Sequence, residues 1–275
     1  MQAEVRSFMS FTCAILLLLA LTAFKATAQE GPAESKPHGL PANQFEAPIS
    51  FEPNEGQAQE PVKFMARGPG YTLSLTRQGL VFSFERPESQ GGLEAFHSLA
   101  VKFVGANSSP KLAPGGELTT KSSYFMGADP AKWRTGIPNY AHVTIKDVYP
   151  GIDVGYRGTH GRLQCSFLVS PDAKPNQIVI AISGANNPRL DPAGDLILQS
   201  GNTKLRLSKP TAYQYIGANK RTVSAQYLLR RGRIIYALSD YDRTKGLTID
   251  QVLSYERYLT TEGAVGSPPR FEGRH

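Results

Sequence analysis

The chain has 275 residues with a formal net charge of +7, and it contains 26 glycines and 20 prolines. This glycine and proline content indicates many turns, but it stays below the level typical of a disordered low-complexity chain. The sequence has no Gly-X-Y period, no sustained heptad pattern and only one long apolar run, which excludes a collagen-like protein, a coiled coil and a polytopic membrane protein.

The apolar run occupies residues 11–24, fourteen residues without a charge. A helix of this length is too short to cross a hydrocarbon core of about 30 Å, but it matches the h-region of a secretory signal. Ala26-Thr27-Ala28 supplies a small-x-small cleavage pattern just after it. We therefore expect a signal peptide over residues 1–28, export to the periplasm, the outer surface or the extracellular space, and no transmembrane span after signal removal. The alternative is an uncleaved membrane anchor.

Two segments rich in turn formers flank the part that is expected to fold. Residues 29–48 contain four prolines and predict a flexible linker, and residues 260–275 predict a disordered tail. Residues 49–259 are expected to form the head domain. The sequence leaves open one large unit or two consecutive sandwich-like units with a boundary near residues 110–140.

The dominant period in the head domain is two, which predicts strands buried on one face. Apolar residues alternate with polar ones over residues 71–76 and 80–84, so we expect a β-hairpin with its turn at Arg77-Gln78-Gly79. Residues 178–182 are apolar on both faces and predict a central strand that is covered on both sides. Further strands are predicted at residues 99–103, 143–145, 163–169, 205–207, 223–229 and 234–238.

Turn residues separate these runs, at residues 191–195 and at Arg231-Gly232. The sequence predicts at most one short helical turn, near residues 129–134, where Asp129 suits the N-cap and Pro130 the first helical position. Many short strands joined by such turns favour an all-β fold built as a β-sandwich or a pair of sandwiches. The lack of a fixed internal repeat argues against a complete propeller or solenoid.

Known catalytic and metal-binding motifs are missing from the sequence. It has no G-x-S-x-G, no H-E-x-x-H, no phosphate-binding glycine loop and no Cys or His cluster with metal spacing. We therefore predict no catalytic residue, no metal site and no cofactor. The five histidines occur singly, at His38, His97, His142, His160 and His275.

Aspartates at strand ends and turns are the remaining candidates for catalysis, and we expect most of them to bond the local backbone. A calcium site at Asp191 and Asp195 would have only two of the six or more oxygens that this ion takes. Two converging carboxylates would instead indicate a glycoside-active enzyme. The candidates are Asp147, Asp153, Asp191, Asp195, Asp240, Asp242 and Asp250.

Cys165 is the sole cysteine outside the predicted signal peptide, because Cys13 lies inside it. An internal disulfide is therefore not expected, and stability must come from a hydrophobic core. Alternation places Cys165 on the same face as Leu163 and Phe167, which predicts a small buried side chain. The alternatives are a nucleophile and an intermolecular disulfide.

Basic and aromatic clusters could mark a binding surface. Arg230-Arg231-Gly232-Arg233 is the densest basic cluster, and it predicts either a solvated surface or a site for anionic glycans or membrane headgroups. Nucleic acid is not expected as a partner, since no binding motif for it is present. Trp133, the single tryptophan, is interpreted as a plug at the end of the core, with an exposed sugar-binding platform as the alternative. It is flanked by Tyr124, Phe125, Tyr140 and Tyr149.

Several segments together resemble a known family. They are FEPNEGQ at 51–57, VKFMARGPGY at 62–71, YFMGADPAKWRT at 124–135, DVYPGID at 147–153, and the late Lys209-Pro210, Tyr213-Gln214, Tyr241-Asp242 and LTID at 247–250. Their order is similar to the N-terminal domain of bacterial seven-bladed β-propeller-repeat (SBBP-repeat) proteins, over about residues 50–259. The function of that domain is unknown, so the resemblance implies an architecture and an exported compartment but no catalytic residue.

Two differences from that family bear on the expected function. A strand that typically reads Leu-Glu-Tyr-Asp-Phe reads LQCSF at 163–167 here, so no role that needs those carboxylates is implied. Gln251 replaces a proline, and no propeller repeats follow, which implies a free-standing head domain. We therefore expect a non-catalytic cell-surface or extracellular interaction or structural module whose ligand is unknown, with an extracellular glycan or another surface protein as candidate partners. The alternative is an exported carbohydrate-active enzyme or glycan-binding protein.

Overall fold

The computed structural model describes residues 49–68, 70–84, 98–159, 162–201 and 203–257. The predicted signal peptide at 1–28, the linker at 29–48 and the tail at 260–275 lie outside the described residues. Within the described ranges, no helix is long and apolar enough to cross a membrane.

Strands account for 65% of the described residues and helices for 3%. Eighteen strands are found in these ranges. They are β1 (Phe51–Pro53), β2 (Phe64–Gly68), β3 (Tyr71–Thr76), β4 (Gly79–Phe84), β5 (Ser98–Phe103), β6 (Lys111–Tyr124), β7 (Arg134–Tyr149), β8 (Ile152–Thr159), β9 (Arg162–Val169), β10 (Val179–Ser183), β11 (Asn186–Leu190), β12 (Leu196–Ser200), β13 (Thr203–Leu207), β14 (Thr211–Ile216), β15 (Asn219–Val223), β16 (Ala225–Arg230), β17 (Arg233–Leu238) and β18 (Leu247–Arg257).

Antiparallel pairing joins fifteen of these strands into one nearly closed sheet. Their order across the sheet is β16-β17-β10-β5-β4-β3-β2-β1-β7-β8-β9-β18-β13-β12-β11. β1 and β8 lie along one edge of β7, and β6 pairs with its other edge. The β14–β15 hairpin attaches to β18. The expected all-β class is confirmed. The expected β-sandwich is not confirmed, because the strands form one continuous sheet that curls round on itself.

The inner face of this sheet supplies the hydrophobic core. In β3 the inward side chains Tyr71, Leu73 and Leu75 are buried, and the intervening residues are half-exposed. The predicted hairpin at 71–84 is therefore confirmed, since β3 and β4 pair in register from Tyr71–Phe84 to Thr76–Gly79. Most buried hydrophobic side chains from Ile49 to Leu253 form one cluster in the described part of the chain; Met65, Ile137 and Ile197 lie outside it.

The predicted central strand at 178–182 is central but is covered on one face only. β10 lies between β5 and β17, as expected for an inner strand. Ile180 points inward and is buried, whereas Val179 and Ala181 on the outer face are half-exposed. The prediction of cover on both sides is wrong, because the sheet encloses its own core and needs no second layer there.

The predicted strand at 223–229 is also revised. The chain breaks at Ser224, so that β15 ends at Val223 and β16 begins at Ala225. The Ser224 N–H donates to Ser239 Oγ at 3.0 Å, and its carbonyl accepts from the Ser239 N–H at 2.9 Å. This bridge lets the chain leave the β14–β15 hairpin and enter the main sheet without losing backbone hydrogen bonds.

Two 3-10 turns interrupt the strands. The turn at Pro130–Lys132 confirms the prediction near residues 129–134. The second turn, Pro175–Gln177, was not predicted, because its N-cap Lys174 makes no side-chain cap and gives no sequence signal.

Candidate functional site

A long hairpin, formed by β6 and β7 and called the β6–β7 arm here, carries the candidate site. β6 pairs with β7 alone among the described strands, and none of its residues is buried. The connecting loop, residues 125–133, is called the arm tip. Every residue of the arm tip is exposed, so the side chains there are available to a partner.

Local hydrogen bonds fix the backbone of the arm tip. Asp129 caps the 3-10 turn by accepting from the Ala131 N–H at 3.0 Å, and Pro130 occupies the first position of that turn. The Trp133 N–H closes the turn by donating to the Pro130 carbonyl at 3.0 Å. The tip therefore has a defined conformation, as the sequence predicted from Asp129 and Pro130.

An exposed aromatic pair stands on this backbone. The rings of Phe125 and Trp133 meet edge to face, with centroids 5.2 Å apart and an interplanar angle of 83°. Phe125 is 66% exposed, and Met126 and Trp133 are each 37% exposed. The indole Nε1–H of Trp133 donates to the Gly127 carbonyl at 3.1 Å. The interpretation of Trp133 as a core plug is wrong, because its polar group is satisfied within the tip and its ring lies at the surface.

Arg134 joins the arm tip to the loop between β1 and β2. Its Nε donates to the Glu55 carbonyl at 2.9 Å, and its Nη1 donates to the Ala131 and Trp133 carbonyls, both at 3.1 Å. Gly56 has a φ of +106°, and a Cβ there would lie 3.2 Å from Arg134 Nε. Glycine at position 56 thus allows both the backbone conformation and the close approach of the guanidinium group.

A buried carboxylate lies at the base of the tip. Glu52 in β1 is only 5% exposed, and the Tyr124 hydroxyl donates to its Oε1. Arg67 Nη2 donates to the Tyr124 oxygen at 2.8 Å, and Arg67 Cζ lies 5.2 Å from the centroid of the Tyr124 ring. Burial, with the adjacent Glu52 carboxylate, raises the pKa of Tyr124 to about 12. Sequence reasoning did not predict that Glu52 is buried. The one sequence feature that indicates burial is its position between Phe51 and Pro53 in a short strand.

The turn aspartates bond to backbone or basic groups. Asp191 accepts from the Ala193 and Asp195 N–H groups, both at 2.9 Å, and from Arg206 Nη2 at 2.7 Å. Asp195 lies 3.2 Å from Arg206 Nε and accepts from the Lys209 N–H. The hydrogen bond from the Asp195 backbone, followed in effect by Arg206, lowers the pKa of Asp191. The guanidinium group of Arg206 therefore lies between the two carboxylates, where a calcium ion would have to bind.

Other candidate aspartates are also engaged locally. Asp153 accepts from the Asp147 N–H at 2.8 Å and pairs with Lys146 at 2.7 Å, and Asp242 accepts from the N–H and hydroxyl of Thr244. Within the described ranges, no group of three or more His, Cys, Asp and Glu side chains is arranged for a metal ion. The prediction of local backbone bonding is confirmed for Asp153, Asp191 and Asp242.

Among the histidines, His142 alone lies in the described residues; His38, His97, His160 and His275 lie outside them. A Cβ at Gly115 would lie 2.3 Å from His142 Nε2, so the imidazole packs directly over that glycine. His142 Nδ1 is buried and has no hydrogen-bond partner in the described ranges. This packing assigns the ring a structural place in the arm.

A polar cluster lies inside the nearly closed sheet. Tyr156, Cys165 and Gln251 are direct partners in one row across β8, β9 and β18. The hydroxyls of Tyr227 and Tyr236 donate to Gln251 Oε1 at 3.0 and 2.5 Å, and Gln251 Nε2 donates to Cys165 Sγ at 3.4 Å. Burial raises the pKa values of all three tyrosines well above the ordinary range. Gln251 thus ties the two facing walls of the sheet together through the core.

Cys165 has the predicted orientation, on the inner face with Leu163 and Phe167. It is half-buried rather than buried, because it borders an internal cavity of about 30 Å³. That volume suits about one water molecule and no larger ligand. Burial raises the pKa of the thiol to about 12, against the weaker opposing effect of the Gln251 hydrogen bond. The thiol is therefore protonated at neutral pH, which does not suit a nucleophile.

A family model matches residues 51–251, and its description is a domain of unknown function, DUF7948. No curated protein and no solved structure matches the chain. The matched residues extend from the first residue of β1 into the middle of β18, so they include the arm, the interior cluster and nearly the whole sheet. The chain belongs to the family defined by this domain, DUF7948.

Proposed function

We propose that the protein is an exported, non-catalytic interaction module that binds a partner protein through the arm tip. The observation that carries this proposal is the exposed Phe125–Trp133 pair, 5.2 Å apart on a backbone held by hydrogen bonds. Large apolar side chains that cluster at the surface mark interaction sites, and an ordered cluster loses less conformational entropy on binding.

The make-up of the tip favours a protein over a glycan as the partner. Aromatic residues, Met and Arg are enriched at protein interfaces, and here Phe125, Met126 and Trp133 lie beside Arg67 and Arg134. The two rings stand at 83° to each other, so they do not form one flat platform on which a sugar ring could stack. An edge-to-face pair of this kind is better suited to a pocket on another protein.

Export is the second part of the proposal. It rests on the uncharged run at residues 11–24 and on Ala26-Thr27-Ala28. The resemblance to the N-terminal domain of SBBP-repeat proteins is part of the same proposal. N-terminal sequencing of protein recovered outside the cytoplasm is expected to begin at Gln29. A sequence that begins at Met1 would contradict cleavage.

Binding to intact producing cells tests the role of the arm tip. The labelled chain is expected to bind these cells, and the double variant Phe125→Ala/Trp133→Ala to lose about tenfold or more in affinity, as for the removal of aromatic hot-spot residues. The matched control is Tyr215→Ala/Ile216→Ala, since these two exposed apolar residues lie on another hairpin. The control is expected to bind as the original chain does.

Treatment of the cells distinguishes the partner class. Protease digestion of surface proteins is expected to abolish binding, and periodate oxidation of surface sugars is expected to leave it unchanged. Loss of binding after periodate alone would replace the protein partner with a glycan. Equal binding by the tip variant and the original chain would reject the arm tip as the site.

A further inference from the structure

A row of basic side chains crosses the outer face of the sheet on strands β5, β10, β17 and β16. Lys102 in β5 is the partner of Ala181 in β10, Ala181 is the partner of Arg233 in β17, and Arg233 is the partner of Arg230 in β16. The row points outward, because Val101, Ile180 and Ile234, the sequence neighbours of its members, are buried inside. Neighbouring strands lie about 4.8 Å apart, which places the Cα atoms of Lys102 and Arg233 about 10 Å apart across the small Ala181.

We call Lys102, Arg230, Arg231 and Arg233 the basic face. All four side chains are exposed. Strands β4, β5, β10, β16 and β17, which form and flank the basic face, contain no acidic residue. Positive charge is therefore concentrated here without a compensating carboxylate from these strands.

Some basic residues on other parts of the outer surface form ion pairs. Lys146 pairs with Asp153 at 2.7 Å, Lys204 with Glu256 at 2.8 Å, and Arg206 with Asp191 and Asp195. No member of the basic face forms an ion pair with a described residue. Other exposed basic residues, such as Arg157, Arg162 and Arg189, also form no ion pair with a described residue. The basic face is therefore distinguished by the clustering of its unpaired charges on neighbouring strands.

The arrangement of the arginines is also unfavourable for the isolated protein. Arg230 and Arg233 are directly opposed across the β16–β17 hairpin, and like charges in that relation are destabilising. A bound anion would remove the repulsion, which gives this arrangement a physical reason.

The neighbourhood of the row favours a carbohydrate over a lipid surface. Lys102 is also the partner of Gly79, which follows the Arg77-Gln78 turn between β3 and β4. This turn lines a surface cleft of about 280 Å³ together with Glu60, Pro61, Lys63, Thr76 and Ser108. The cleft is near the lower end of the size range for small-ligand pockets. Its lining residues are polar apart from Pro61, and apolar atoms supply more than half of the lining surface. A flat membrane surface cannot enter such a cleft.

Apolar side chains that would anchor the protein in a lipid surface are not found beside the basic face. The exposed large hydrophobic residues of the described ranges lie on other elements; they are Phe125, Met126, Trp133, Leu168, Leu190, Tyr215 and Ile216. Peripheral membrane binding usually combines basic residues with inserted apolar ones. The basic face thus has the positive charge that would bind a polyanion, but it lacks the apolar side chains that would insert into a bilayer.

From these observations we propose that the basic face binds an acidic polysaccharide, a chain bearing carboxylate or sulfate groups, with its charged groups along the Lys102–Arg233–Arg230 row. The cleft beside the Arg77-Gln78 turn receives a neighbouring sugar unit. This site is separate from the arm tip, so the protein could hold a polysaccharide and a partner protein at once.

Affinity of the full chain for polygalacturonate and for heparin tests the proposal, with uncharged dextran as the neutral probe. The chain is expected to bind at least one acidic polysaccharide and not dextran, and the affinity is expected to fall as salt is added, because exposed charges are screened. The triple variant Lys102→Gln/Arg230→Gln/Arg233→Gln is expected to lose about tenfold in affinity, as for the loss of three exposed charge contacts.

A matched variant separates the basic face from net charge alone. Lys220→Gln/Arg162→Gln/Arg189→Gln removes the same number of lysines and arginines from exposed positions elsewhere. It is expected to keep its affinity within about twofold, because distant surface charges are screened at physiological salt. Equal losses in the two triple variants would overturn the proposal in favour of general charge attraction.

Two further outcomes also decide the matter. Binding to phosphatidylglycerol vesicles with no binding to either acidic polysaccharide would replace the proposal with a membrane surface, and binding to none of these probes would reject it. The Phe125→Ala/Trp133→Ala variant is expected to bind polysaccharide normally, so failure of this proposal and failure of the arm-tip proposal are distinguishable. Thermal unfolding of the basic-face variant is expected at the same or a higher temperature, since the Arg230–Arg233 repulsion is gone.

Discussion

The interior cluster and the arm tip both hold aromatic side chains by hydrogen bonds, but they use different partners. Inside the sheet, Tyr227 and Tyr236 donate to one side-chain oxygen, Gln251 Oε1. At the arm tip, Trp133 donates to a backbone carbonyl, that of Gly127. A side-chain acceptor is removed by one substitution, whereas a backbone acceptor is not. Single substitutions in the interior cluster should therefore lower the stability of the fold, whereas substitutions at the arm tip should have little effect on it.

Alkaline pH is expected to lower the free energy of unfolding more than any of the substitutions below, through the buried tyrosines and Cys165 of the interior cluster. Burial raises the pKa of Cys165 to about 12 and those of Tyr156, Tyr227 and Tyr236 well above the ordinary range. In the unfolded chain these groups lose their protons near their ordinary pKa values of about 8.5 for Cys and about 10 for Tyr. The folded state then binds more protons, so the free energy of unfolding must fall as pH rises above about 9. Urea unfolding at a series of pH values measures this fall; a constant free energy up to about pH 11 would contradict it.

The substitution Gln251→Leu is expected to destabilise the fold by about 2–3 kcal/mol. It leaves the buried hydroxyl of Tyr236 without its acceptor, while Tyr227 keeps the Ser208 carbonyl at 2.9 Å. Urea unfolding gives the value, and Gln199→Leu at an exposed position of β12 is the control. Adding Tyr236→Phe to Gln251→Leu should cost less than the two single changes summed. Strict additivity would show that the hydrogen bond contributes nothing.

The substitution Cys165→Ser is expected to cost about 1 kcal/mol, because the smaller, more polar hydroxyl packs less well against the apolar part of the cavity wall while it keeps Gln251 Nε2 as a hydrogen-bond donor. In the original chain a thiol reagent should label Cys165 slowly in the native state and rapidly in urea. Rapid native labelling, or a disulfide-linked dimer on a non-reducing gel, would contradict the structural role of this thiol.

Arg134→Ala is expected to have the smallest effect on stability, below about 1 kcal/mol, because its hydrogen bonds lie at the surface. It should nevertheless loosen the arm tip, so that the backbone amides of Lys132 and Trp133 exchange faster with deuterium. Arg157→Ala, at an exposed position of β8, is the control and should leave that exchange unchanged. A large loss of global stability would show that the tip and the core unfold together.

The sequence could predict features that depend on near neighbours. The hairpin at 71–84 and the Asp129-Pro130 turn each follow from alternation or capping within a few residues. Features that depend on distant partners were missed. Glu52 meets Tyr124 across 72 residues, and Gln251 lies 24 residues from Tyr227, so neither contact leaves a local pattern.

The misinterpretation of Trp133 has the same origin. Its aromatic neighbours in the sequence suggested a core, but Tyr149 is buried in the sheet while Phe125 is exposed at the arm tip. The length of the arm separates residues that the sequence places close together. Closure of the sheet was missed as well, because strand period fixes which face is buried and not which strands become neighbours.

The position of the single tryptophan has a practical consequence for spectroscopy of this protein. Trp133 lies at the arm tip and not in the core, so its fluorescence reports on the surroundings of the tip. Unfolding of the sheet should change the emission maximum little, since the indole is already partly in water. Docking of a partner on the tip should instead shift the emission to shorter wavelength and protect it from acrylamide quenching. The chain thus carries an intrinsic optical probe for binding, whereas its folding is better followed by circular dichroism.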